Sequence, residues 1–152
     1  MLTRRNLMMA GAVAVLIPAA ARAQVPAVHV LKDRNCGCCG DWIAVLRRDG
    51  FHVTAEDVAP EELARFKVAG GIPAQLTSCH TARVGGYLIE GHVPPADIRR
   101  LLDQRPDAVG LAVPGMPYGS PGMGPENQRE AYDVLLVRRD GQAEVFNSYP
   151  AA

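Results

Sequence analysis

Apolar and polar positions along this chain fall into short segments whose period changes from one to the next. Ala27 to Leu31 is a compact, partly β-branched apolar run of the length of a buried strand. Between Asp41 and Asp49, Trp42, Val45 and Leu46 repeat at i, i+3, i+4, which is one face of a helix, and Gly50 closes it. Phe51 to Val58 alternates apolar and polar and predicts a second strand. Pro60 at a first helical position, followed by Glu61 and Glu62, opens a second helix that carries Leu63 and Phe66 and stops at Gly70-Gly71. Thr81–Val84 and Tyr87–Glu90 flank Gly85-Gly86, a two-residue hairpin signal. Pro94-Pro95-Ala96-Asp97 then begins a helix with Ile98, Leu101 and Leu102 on one face.

The order β-α-β-α, hairpin, helix predicts an α/β chain of thioredoxin-like fold. Two further pieces extend it. Gly110 to Met123 is rich in Gly and Pro, has a methionine near each end, and reads as a loop across one end of the sheet. Tyr132–Arg138, Asp140-Gly141 and Ala143–Tyr149 read as an added C-terminal β-hairpin. The first hairpin also carries a register. If Gly85-Gly86 are the turn residues, Val84 opposes Tyr87, and continuing the pairing sets Cys79 opposite His92.

The first 23 residues stand apart from this pattern. Arg4-Arg5 precedes the mostly apolar run Leu7–Ala21, and Ala21-Arg22-Ala23 follows as a small-x-small site, which together predict a cleaved export signal. Paired arginines point to the twin-arginine route, although Asn6 and Met8 match it loosely and leave the general secretory route open. A chain beginning at Gln24 is one domain of 129 residues with 13 basic and 16 acidic side chains, a net −3. With no Lys/Arg cluster, nucleic acid is excluded as a partner, and no later apolar run suits a membrane helix. The expected product is a soluble periplasmic domain.

That compartment bears on the cysteines. Three of the four lie in Asn35-Cys36-Gly37-Cys38-Cys39-Gly40-Asp41-Trp42, at the junction of the first strand and first helix. Periplasmic thiols are normally driven to disulfides, so four retained thiols need a reason such as a soft metal. A helix N-terminus stabilises thiolate and also suits redox chemistry. One tetrahedral Zn²⁺ fits poorly, because adjacent Cys38 and Cys39 do not easily reach two corners of one tetrahedron. Adjacent thiolates suit a cluster of bridged Cu(I) ions. Cys79 followed by His80 would supply the fourth thiolate and an imidazole, His92 a second imidazole, and Met116 and Met123 thioethers, all of them soft or borderline donors. In metal-free protein Cys36 and Cys39, at i and i+3, are the pair expected to close a disulfide. His29 and His52 read as structural, and Trp42 as packed between the first helix and the sheet. No catalytic residue is assigned.

The segments CGCCGDW, GIPAQLTSCHTARVGGYLIEGHVPPADIRRLL, GLAVPGMPYGSPGM and YDVLLVRRDG resemble the small periplasmic copper-resistance proteins of the CopG type, over roughly Val28 to Tyr149. The resemblance implies a thioredoxin-like fold with a cysteine-bridged multi-copper cluster, and a role in copper handling often beside efflux and oxidase components. It places the C-x-C-C residues on Cys36, Cys38 and Cys39, and the S-C-H cysteine on Cys79. Three readings stand. The chain is a Cu(I)-binding resistance protein, a thiol:disulfide oxidoreductase using Cys36 and Cys39, or a disulfide-stapled interaction module.

Overall fold

The computed structural model describes residues 26–152, so the export signal expected over residues 1–23 lies outside the described residues. The framework opens with β1 (Val28–Asp33), α1 (Gly37–Arg48), β2 (Val53–Val58) and α2 (Pro60–Ala69). It continues with β3 (His80–Val84), β4 (Tyr87–Glu90) and α3 (Pro95–Gln104), and ends with β5 (Gly110–Ala112), β6 (Tyr132–Val137) and β7 (Ala143–Tyr149). One seven-stranded sheet runs β2-β1-β3-β4-β5-β6-β7. β1 is parallel to β2 and antiparallel to β3, and β3 is antiparallel to β4. These directions follow from the predicted βαβ unit and hairpin, because a helical crossover returns a strand parallel and a two-residue turn returns it antiparallel.

The helices cover both faces. Trp42, Ile43 and Leu46 of α1 and Ile98 and Leu101 of α3 pack with Val28, Val30, Ile89 and Leu111 into the main core. On the other face Leu63 and Phe66 of α2 meet Leu31 and Val58, while Ile72 and Leu76 meet Leu88, Ala112 and Val137. Among the described residues no helix is long and apolar enough to cross a membrane.

Two expectations need correction. α1 starts at Gly37 rather than Asp41, which puts Cys38 and Cys39 in its first turn with Cys36 as N-cap. Gly37, Gly40 and the cysteines carry no apolar period, so the pattern hides this turn. The segment from Gly110 is also not all loop. Gly110–Ala112 forms β5, parallel to β4 and antiparallel to β6, and so joins the added hairpin to the framework. Three residues are too short for a periodic signal, and Gly110 reads as a breaker. It is required there because a Cβ would collide with the backbone of Leu88 on the neighbouring strand.

Candidate metal centre

β1 ends in a turn where the Asn35 N–H donates to Asp33 Oδ1 at 2.7 Å and the Cys36 N–H to the Asp33 carbonyl at 3.0 Å. This delivers the chain to the start of α1. Cys36 caps that helix without a side-chain hydrogen bond, and the first turn holds no acidic residue. The positive end of the helix dipole is therefore left for sulfur, the arrangement that favours thiolate over thiol.

Cys36 and Cys39 form a disulfide with Cα atoms 5.5 Å apart, whereas Cys38 and Cys79 are free. Cys38 is the hub. Its Sγ lies 3.6 Å from Cys36 Sγ, 3.8 Å from Cys79 Sγ and 4.0 Å from Met116 Sδ. Cys79 arrives from the other side. The register runs Val84↔Tyr87 to Thr81↔Glu90, and beyond its open end Cys79 Sγ lies 3.2 Å from His92 Nε2 and 3.3 Å from His80 Nδ1.

The tautomer of His92 follows from its partners. Nδ1 lies 2.8 Å from the Pro121 carbonyl oxygen, which can only accept, so Nδ1 carries the proton. Burial lowers the His92 pKa, keeping the ring neutral, so Nε2 presents a lone pair to the Cys79 thiol. A carbonyl fixing the far nitrogen is the usual way a ligating imidazole is oriented. Cys79 is pushed up to about 11, first by burial and then by Cys38, against the Ser78 hydroxyl, which lowers it. His80 is fully buried and held well below its ordinary value by burial, then by His92 and Lys67. Among the described residues its Nε2 has no hydrogen-bond partner.

Trp42 forms the floor. It is fully buried, its indole N–H donates to the Val93 carbonyl at 2.9 Å, and its ring lies 4.4 Å from that of His80. The Gly/Pro segment crosses above it. Gly122, with φ near +82°, approaches the backbone of Asp41 and Trp42 so closely that a Cβ would clash. Met116 is 53% exposed and Tyr118 43%, so the centre is open on that side. Met123 contributes its backbone to the loop, donating N–H to Ser120 and accepting from Gly119. Among the described residues its sulfur makes no hydrogen-bond contact with the cysteines.

The structure thus brings together Cys36, Cys38, Cys39, Cys79, His92 and Met116 and leaves the Met123 sulfur aside. His80, expected beside Cys79, joins a second group of donors with Cys79 and His92. The structure adds a buried pair, Lys67 with Glu90, behind Cys79. Each had a signal in the sequence. Lys67 follows Leu63 at i+4 on the inward face of α2, and Glu90 alternates with Leu88 in an apolar strand. The four cysteine sulfurs all lie within 4.8 Å of one another. Metal–sulfur bonds of about 2.3 Å can span such separations, and a thiolate, thioether and imidazole set is soft enough for Cu(I).

Residues 76–123 match a family described as a protein of unknown function, DUF411. No curated protein matches. A solved structure titled copper resistance protein CopG, form 1, is 46% identical, with a TM-score of 0.78, and the alignment covers 84% of this chain and 100% of that one. Form 2 aligns with the same identity and coverage at a TM-score of 0.76. With cysteines clustered at one end of a matching α/β fold, and with that identity over 84% of its length, this chain belongs to the CopG family of copper-resistance proteins.

Proposed function

We propose that the chain is an exported Cu(I)-binding protein of copper resistance, a thioredoxin-like domain over residues 24–152. It holds copper as a thiolate-bridged cluster between the start of α1 and the open end of the β3–β4 hairpin. Cys36, Cys38, Cys39 and Cys79 are the bridging donors, with Met116 and His92 at the rim and Met123 as an outlying thioether. The carrying observation is the position of Cys38, within 4.0 Å of sulfurs from three separate residues. Copper is cargo in this reading, and efflux or oxidase components of the periplasm are the partners it would serve.

A disulfide sulfur offers no thiolate, so the Cys36–Cys39 bridge is the metal-free, oxidised form, and loading requires its reduction. Anaerobic titration of reduced protein should take up more than one Cu(I) per chain, with sulfur-to-copper charge-transfer absorption in the ultraviolet. Saturation by one Zn²⁺ with no preference for copper would end this reading. The disulfide itself favours a second reading. Cys36–Cys39 sits at a helix N-terminus with the free Cys38 Sγ 3.6 Å from Cys36, which is an arrangement for thiol–disulfide exchange. Insulin reduction by metal-free protein tests it.

A further inference from the structure

The ladders stop short of the fourth cysteine. β1 pairs with β3 as far as His80, and β3 with β4 as far as Thr81, so Thr77, Ser78 and Cys79 lie outside both registers. Something else must hold them. The side chains of Lys67 and Glu90 are 8% and 0% exposed and form a buried ion pair. Glu90 Oε1 also accepts the Ser78 N–H at 2.6 Å, and Oε2 accepts the Thr81 hydroxyl at 2.5 Å. Lys67 Nζ donates a second hydrogen bond to the Ser78 carbonyl at 3.2 Å. Both polar groups of the residue preceding Cys79 therefore end on this one pair. The Ser78 hydroxyl in turn donates to the Gly115 carbonyl, and the Gly115 N–H to Thr77 at 3.4 Å, tying the Met116 segment to the same residue.

The structure assigns Lys67 and Glu90 as positioning residues that hold Ser78, and through it Cys79 and Met116, within reach of Cys38. The assignment rests on the copper-binding reading for its consequence, but not for its geometry. A buried ion pair adds little net stability compared with apolar residues of similar volume, so a fold-only role would be nearly dispensable. Loss of the hydrogen bonds to Ser78 is a different matter, because Cys79 has no ladder to fall back on.

Two double variants separate these roles. Both K67M/E90L and K67M/E90Q remove the charges without leaving either one alone. Only Gln can still accept the Ser78 N–H, with its amide facing Thr81. In protein carrying the Cys36–Cys39 disulfide only Cys38 and Cys79 are free, so their bridging by dibromobimane reports that distance without metal. K67M/E90L should slow bridging, and weaken Cu(I) binding by the reduced protein, by about tenfold or more, the scale of lost outer-shell support at metal sites. K67M/E90Q should return both to within about threefold of the parent. Closure of the Cys36–Cys39 disulfide, which lies on α1 away from the pair, should be unchanged in both. Equal behaviour of the two variants, or loss of Cys36–Cys39 closure alongside, would overturn the assignment. Should K67M/E90L not fold, K67M alone loses the hold on the Ser78 carbonyl and leaves Glu90 without its counter-charge. It must then slow bridging measurably, and an unchanged rate overturns the assignment. If the parent binds no Cu(I) while bridging still follows the variants, the copper reading fails and the positioning stands.

Discussion

Cys36, Cys38 and Cys39 reach the centre within one turn of α1, whereas Cys79 meets Cys38 from 41 residues further along the chain. The first three are placed by local geometry alone, at the start of α1. Cys79 lies just beyond the hairpin ladder and is placed by a buried ion pair acting through Ser78 and by two imidazoles. Burial raises its pKa to about 11, the opposite of what a helix start does to sulfur. The Cys79 side of the centre thus keeps its proton until something replaces it. Metal uptake through Cys79 should therefore release a proton, and metal-free protein should keep Cys79 slow toward electrophiles at neutral pH.

The comparison breaks most severely at Trp42, which supports both sides. Trp42→Ala removes a fully buried ring from α1, from its contact with His80 and from its bond to Val93. It should cost about 3–5 kcal/mol of stability in a urea titration, within the range for large-to-small core changes. Cys38→Ser comes next, since it removes the sulfur that both sides share. Cu(I) affinity measured against a chromophoric chelator should fall by about 100-fold, the upper end of metal-site losses, while the Cys36–Cys39 disulfide still forms on oxidation. A variant that keeps its affinity would move the hub away from Cys38.

Cys79→Ser should cost less, about tenfold, because the three sulfurs on α1 remain. Peptide mapping of that variant should still find the Cys36–Cys39 bridge. The smallest effect is the pH dependence of Cys79 itself. Its folded pKa of about 11 lies above the ordinary thiol value of 9.0, so between these values the unfolded chain binds fewer protons than the folded one. The stability contributed is complete below pH 9 and is lost as pH rises to about 11. Alkylation of Cys79 in metal-free protein, followed by mass spectrometry, should accelerate through the same window. A midpoint near 8 would show that burial does not govern this thiol.

Much of the framework was legible because its signals are local. Pro60 and Pro95 both sit at helix starts, and Gly85-Gly86 adopt φ of +54° and +92°, the positive pair that a two-residue hairpin turn needs. That turn sets the register, which the strands keep as far as Thr81↔Glu90, and Cys79 meets His92 just beyond it. The start of α1 was misplaced by a turn because Gly37, Gly40 and the cysteines offer no periodicity. β5 was hidden for a related reason. Its three residues are strand only because β4 and β6 lie on either side to complete their hydrogen bonds.

The sequence by itself determined which sulfurs share a turn, which pair closes a disulfide, and which residue of the hairpin faces His92. These depend on separations of a few residues or on the two-residue period of paired strands. Only the tertiary structure decided that Lys67 and Glu90 are buried together, that the Pro121 carbonyl selects the tautomer of His92, and that Met116 rather than Met123 meets Cys38. A charge enters the core only where a partner arrives to compensate it, and that partner comes from another element. A loop sulfur is likewise placed by whatever its backbone is tied to, here Ser78, and no local period records such a tie.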